Sequence, residues 1–123
     1  MVRKIALVED SAVVRESLCR MLDDISHFEI VGEYERAAEA ITGITEQPPD
    51  IILLDLRLRG SNGMQVLQHV KAALPNVIVI VFSSQSDPIN KERALAAGAK
   101  MFLSKTDDIE RLHSVLTELV AHA

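Results

Sequence analysis

Aromatic residues are scarce in this chain: no tryptophan, one tyrosine and three phenylalanines among 123 residues. Rings that could stack on a flavin are therefore in short supply. There is one cysteine, Cys19, so no disulfide can close within the chain, which fits a reducing compartment. Positive charge is in deficit, with 13 Lys and Arg against 18 Asp and Glu and a formal net charge of −5. General nucleic-acid binding needs a basic face to meet the phosphates, and the same deficit disfavours an anionic lipid surface. No run approaches the roughly 20 apolar residues that span a bilayer. The opening MVRKIALVED has too short an apolar stretch, and no small-residue cleavage site, for a signal peptide. Repeats, low-complexity tracts and linkers are missing too. The expectation is one cytoplasmic domain over residues 1–123 that touches neither membrane nor nucleic acid directly.

What is present is 48% hydrophobic and 25% charged residues, enough for a real core in a domain of ordinary size. Short apolar runs alternate with segments of helical period. Ile5 to Val8 reads as a buried strand. Ser11 can then cap a helix whose apolar positions Val14, Leu18, Met21, Leu22 and Ile25 recur at the helical spacing. Phe28 to Tyr34 reads as a strand, Arg36 to Thr45 as a helix stopped before Pro48, and Ile51 to Leu54 as a third strand. Met64, Leu67, Val70 and Leu74 form another helical stripe, followed by the strand Val77 to Phe82. Asp87 and Pro88 look like an N-cap with proline at the first helical position, and Gly98 like a C-terminal stop. Met101 to Leu103 is a short fifth strand, and Ile109, Leu112, Val115, Leu116 and Leu119 mark the last helix. The stretch Arg59-Gly60-Ser61-Asn62-Gly63 reads as a loop. Strands alternating with helices predict right-handed βαβ units. The expected fold is an α/β three-layer sandwich around a five-stranded parallel sheet.

In such folds ligands bind beyond the carboxyl ends of the strands. Glu9 and Asp10 follow the first strand, Asp55 the third, Ser83 and Ser84 the fourth, and Ser104 and Lys105 the fifth. Glu35, after the second, begins no evident constellation. A lone loop aspartate is ordinarily a helix cap or a solvated acid. Asp55 is different because it closes the aliphatic run IILL and shares its sheet edge with two more acids. Two carboxylates about 5 Å apart repel by roughly 3 kcal/mol at an effective dielectric of 20. Three acids in one cleft call for a cation, and hard oxygen donors suit Mg²⁺ (or Mn²⁺). With Lys105 as a fixed counter-charge and a carboxylate nucleophile, the set suits phosphoryl transfer.

The chain resembles the receiver domain of two-component response regulators, from Lys4 to about Val120. Glu9 and Asp10 match the acidic pair, Asp55 the phosphoacceptor, Ser83 the hydroxyl switch and Lys105 the invariant lysine. Phe102 sits at the aromatic switch position, Gly63 matches the glycine after the phosphorylation loop, and Gly98 and Ala99 match the pair before strand five. The resemblance implies a flavodoxin-like sheet of order 2-1-3-4-5. It implies that a histidine kinase, a phosphotransfer protein or a small phosphodonor delivers a phosphoryl group to Asp55. Asp10, Asp55 and the backbone carbonyl of Arg57 would hold Mg²⁺, with Glu9 acting through water, and Lys105 and Ser83 would take up phosphoryl oxygens. The chain would be a substrate that catalyses its own phosphorylation and hydrolysis, not a turnover enzyme. It would signal to an output domain or partner protein, with a DNA-binding one among the options, and a homodimer on activation is a further expectation. The segment from Gly63 to Leu67 is similar to that of receivers attached to DNA-binding domains.

One hydrogen bond from Ser83 to a charged oxygen is worth about 1.5–3 kcal/mol. Throwing a two-state switch from 1:99 to 99:1 takes about 5.5 kcal/mol. The remainder is expected from Lys105 and from Phe102 filling space that Ser83 vacates. The fourth helix, whose apolar stripe of Ile89 and Leu95 is thin, is expected to move together with strand five and helix five. Some positions depart from the family pattern. Ser83 keeps a hydroxyl without β-branching, Phe102 has none, and Leu58 and Arg59 replace the usual Met-Pro. Arg57 and Gln85 lie where the family tunes phosphate lifetime.

Three other readings stand beside this one. An aspartate-nucleophile phosphatase usually carries a second acid two residues after the nucleophile, where this chain has Arg57. A flavodoxin-like cofactor binder would meet repulsion of its phosphate by Glu9 and Asp10. A degenerate receiver acting as a phosphorylation-independent adaptor usually lacks an acid or the lysine, and here all are present. His27, His69, His113 and His122 share no metal-ligand spacing, and Cys19 falls near a core stripe.

Overall fold

Strands that are apolar on both faces fold only where both faces are covered. The computed structural model describes residues 2–84 and 87–121, so Gln85 and His122 lie outside the described residues. Its elements are β1 (Arg3–Val8), α1 (Ala12–Ile25), β2 (Phe28–Tyr34), α2 (Ala37–Glu46), β3 (Ile51–Leu54), β4 (Arg57–Leu58), β5 (Ser61–Asn62), α3 (Gly63–Ala73), β6 (Ile78–Ser83), α4 (Pro88–Ala96), β7 (Met101–Ser104) and α5 (Ile109–Ala121). The five long strands form one parallel sheet in the order β2-β1-β3-β6-β7. Counted without β4 and β5, that is the expected 2-1-3-4-5.

Alternation along each strand divides the core in two. Ala6, Val8, Ile52, Leu54, Val79 and Val81 face α2, α3 and α4, while Ile5, Leu7, Ile51, Leu53, Ile80 and Leu103 face α1 and α5. Leu18 and Leu22 seal α1 against the sheet, and Leu112 and Leu116 seal α5. Ile109, expected in the α5 stripe, is exposed instead. It begins the helix, one turn ahead of the buried Leu112.

The caps are those the sequence predicts. The Ser11 side chain accepts from the Val14 amide at 3.3 Å, and Asp87 accepts from the Asn90 amide at 2.9 Å ahead of Pro88. Gly98 ends α4 with a φ of 109°, which glycine adopts without a Cβ penalty. The segment read as a loop after Asp55 is a small antiparallel hairpin. β4 pairs with β5 through Arg57 with Asn62 and Leu58 with Ser61, and Gly60 turns it at a φ of 64°. The hairpin is not periodic enough to register in sequence. Buried Leu58 pins it to the core.

α4 also differs from expectation. Its buried residue is Ala94, whereas Ile89 and Leu95 are 69% and 41% exposed. Neither residue of the thin stripe belongs to the buried core. Ala94 is small enough to let the helix sit close to β7 while burying little area.

Candidate functional site

The carboxyl ends of β1 and β3 are held side by side, because the Asp55 amide donates to the Val8 carbonyl at 2.9 Å. That bond puts Glu9 and Asp10, just after β1, next to Asp55, just after β3. One carboxylate oxygen from each of Glu9, Asp10 and Asp55 lies within 4.8 Å of the others. Glu9 and Asp55 are 2% and 4% exposed, and Asp10 is half-buried. The Lys105 amide, just past β7, donates to the Ser83 carbonyl at 3.1 Å. This brings the lysine over the same edge, where Nζ lies 2.6 Å from Glu9 Oε1 and 2.9 Å from Asp55 Oδ2.

The second Asp55 oxygen, Oδ1, accepts from the Ser83 hydroxyl at 3.0 Å and from the Arg57 amide at 3.1 Å. Three donors thus fix the Asp55 carboxylate in orientation. Gly63 closes the loop behind it, its amide donating to the Leu56 carbonyl at 2.9 Å. A Cβ on Gly63 would sit 2.6 Å from the Leu56 Cα and press on the Asp55 carbonyl oxygen. The first turn of α3 can pass this close to the aspartate only without a side chain. Asn62 caps that helix, accepting from the Met64 amide at 2.8 Å.

Burial pushes the Glu9 carboxyl above its ordinary value, and the hydrogen bonds from Lys105 and from the Ser11 amide pull it partly back. Burial also weighs against the Lys105 ammonium, but its hydrogen bonds to Glu9 and Asp55 outweigh that and raise its pKa. One ammonium therefore serves two buried acids, with a third beside them. A hard divalent cation fits this oxygen donor set. It would relieve the repulsion that Lys105 does not cancel.

The expected site residues Glu9, Asp10, Asp55, Ser83 and Lys105 come together. Arg57 contributes its backbone, since its side chain is exposed. Phe102, from β7, is 7% exposed and packed among the residues that face α2 to α4. The Ser83 hydroxyl already reaches Asp55, and Phe102 is already buried. The expected trade, in which Phe102 fills space vacated by Ser83, is not what this arrangement offers. Ser104 stays at the edge but turns to a local partner, its hydroxyl 2.9 Å from that of Thr106, while the Thr106 amide donates back to it at 3.2 Å. His27, His69 and His113 are exposed. Cys19 packs partly against the core, and burial together with Glu33 pushes its thiol up, away from reactivity.

Sequence reasoning misses Arg15. Its guanidinium donates to the Glu9 carbonyl at 2.8 Å and pairs with Glu35 at 2.9 Å and Glu33 at 3.7 Å. Glu35 therefore does belong to a constellation. The available signal is that Arg15 stands one helical turn after Ser11, on the helix that leaves the acidic pair.

Known proteins resemble this chain over most of its length. Residues 5–117 match the model of the response regulator receiver domain. The transcriptional regulatory protein YhcZ of Bacillus subtilis, whose own role is uncharacterised, is 34% identical over 109 residues, which is 89% of this chain and 51% of that protein. The response regulator VraR of Staphylococcus saprophyticus is 32% identical over 103 residues, 84% of this chain and 49% of that one. The chain thus spans about half the length of these relatives. Among solved structures, a LuxR-family two-component response regulator from Aurantimonas superposes with a TM-score of 0.89 at 26% identity, covering 99% of this chain and 87% of that one.

Proposed function

The chain belongs to the response regulator receiver domains of two-component signalling, and from that premise we propose that Asp55 is its phosphoacceptor and that residues 1–123 act as one receiver domain. The observation that carries this reading is the Asp55 carboxylate itself. It is buried, is oriented by Ser83, Arg57 and Lys105, and faces two further acids. Accepting a phosphoryl group is the general role of the family. Family members are generally not enzymes, and here the proposed chemistry is self-catalysed.

An oxygen of the Asp55 carboxylate attacks the phosphorus of a phosphohistidine on a kinase or phosphotransfer protein, or of a small acyl phosphate. The bond from phosphorus to the donor breaks, the donor leaves with that electron pair, and an acyl phosphate remains on Asp55. Later a water attacks the same phosphorus, the bond to Asp55 breaks, and inorganic phosphate departs from a restored carboxylate. Catalysis of such transfers is mostly positioning and charge neutralisation. Lys105 already lies beside Asp55 Oδ2 and can follow the charge onto a phosphoryl oxygen; Ser83, which donates to Asp55 Oδ1, can turn to another. Asp10, Asp55 and the Arg57 carbonyl would hold Mg²⁺ (or Mn²⁺), with Glu9 through water. Bound there, the metal would supply neutralisation of charge on the phosphoryl oxygens.

The output is proposed to pass to a further domain or a partner protein, with DNA binding the favoured class. Two relatives are a transcriptional regulatory protein and a LuxR-family response regulator. A homodimer on activation, and a cytoplasmic location, belong to the same proposal. No helix among the described residues is long and apolar enough to cross a membrane.

Intact mass after incubation with acetyl phosphate and Mg²⁺ tests the assignment. The expected result is a gain of one phosphoryl group that is absent in Asp55→Ala. No gain with acetyl phosphate or with any kinase would instead favour a phosphorylation-independent adaptor.

A further inference from the structure

The turn from Tyr34 to Ala37 supplies no ligand to the site, yet it is tied to both loops that do. The Tyr34 carbonyl accepts from the Glu9 amide at 2.9 Å. Glu35 pairs at 2.9 Å with Arg15, whose guanidinium also donates to the Glu9 carbonyl at 2.8 Å. These bonds fix the backbone of the acidic loop. From the other side, the Ala37 amide donates to the Ser61 hydroxyl at 3.1 Å, and Ser61 is in the hairpin that carries Arg57.

The bond to Ser61 is unusual in kind. A helix begins with backbone N–H groups that lack intrahelical partners, and the residue just before the helix normally serves one of them. Arg36 stands at that position in α2 and makes no side-chain cap. The cap comes instead from Ser61, 24 residues after Ala37 in the chain. The hairpin is short, two residues a strand, with Arg57, Arg59 and Gly60 exposed. A polar tether to a helix end therefore restricts it more than it would a long ladder.

We propose that this turn is a clamp that sets the spacing between the acidic pair and the phosphoacceptor hairpin, with Ser61 a positioning residue for the metal site. The inference rests on the reading of Asp10, Asp55 and the Arg57 carbonyl as metal ligands. Mg²⁺ demands near-ideal octahedral geometry. Slack in the hairpin therefore shows as lost affinity before it shows as lost fold.

Calorimetric titration of Mg²⁺ into the wild-type chain, Ser61→Ala and Ser61→Thr tests it, with hydrogen exchange at the Ala37 amide measured alongside. Loss of one neutral hydrogen bond predicts binding about fivefold weaker in Ser61→Ala. Ser61→Thr keeps the hydroxyl and should bind within about twofold of wild type. Wild-type affinity in Ser61→Ala, with faster exchange at Ala37, overturns the proposal, because the tether is then cut without consequence. Equal weakening in Ala and Thr variants overturns it as well. If Ser61→Ala does not fold, Glu35→Gln tests the opposite end of the clamp. Its side chain is half exposed, and unchanged affinity there counts against the proposal in the same way. A wild-type chain that binds no Mg²⁺ removes the metal-site reading itself, a result distinct from all of these.

Discussion

Lys105 holds two carboxylates at once, Glu9 and Asp55, and the cost of that sharing falls on Glu9. Burial pushes the Glu9 carboxyl above its ordinary value of 4.5. A carboxyl whose pKa is higher in the native chain than in the unfolded one holds its proton more tightly when folded. Its stabilising share is complete below the ordinary value and is lost as pH rises through the raised one. Lys105 behaves alike at the alkaline end, its raised pKa giving stability that is lost above its ordinary 10.5. Without divalent metal, the stability of the wild type relative to Glu9→Gln should therefore fall as pH rises above 4.5. Chemical denaturation across that range measures it, and a difference that stays flat or grows in favour of the wild type rejects the account. Asp10, Asp55 and Lys105 are legible in sequence because each follows a strand, and strand ends are set by the apolar pattern. Arg15 and Ser61 are not, because each acts on a backbone group brought near only by the fold, and neither residue type announces that.

At the scale of elements, α4 stands apart from its neighbours. α3 buries Gly63, Met64, Val66, Leu67 and Val70, whereas α4 buries Ala94. Free energies of local opening follow buried apolar contact. Amide exchange in α4 is expected to run at least about tenfold faster than in α3; equal protection would remove the case for α4 as a movable helix. The same comparison revises the switch. Since Ser83 already reaches Asp55 and Phe102 is already buried, little packing energy remains to be gained by an inward swing. On the proposed reading, the drive comes from the charge that phosphorylation adds, near −2, acting on Lys105 beside Asp55. Helices and long strands are legible because their periods extend over whole turns and runs. The β4–β5 hairpin escapes notice because four paired residues carry no period, and the outward tilt of Ile89 and Leu95 escapes it because two apolar residues do not define a face.

The whole molecule is acidic, with a net charge of −5, and three of its acids converge where the fold needs its strand ends to meet. Two kinds of stabilisation by salt must then be told apart. Ions in general screen repulsion among exposed charges, over about 10 Å at 0.1 M ionic strength. They do much less for Glu9 and Asp55, which are buried. A bound divalent ion acts on the cluster directly and stabilises the native chain by mass action, by about 2.7 kcal/mol at a hundredfold excess over its Kd. With an unfolding entropy near 2.1 cal/mol/K per residue, that corresponds to a rise in Tm of about 10 °C for a chain of this length. Sodium chloride at matched ionic strength should give a small part of that rise, and Asp10→Asn should forfeit most of the Mg²⁺ effect while keeping the sodium effect. Thermal melts of the two proteins in the two salts decide it. If sodium reproduces the Mg²⁺ shift, or if Asp10→Asn retains it, the acidic cluster owes its place to something other than a cation. The carboxylates would then be held together by Lys105 and the backbone amides alone.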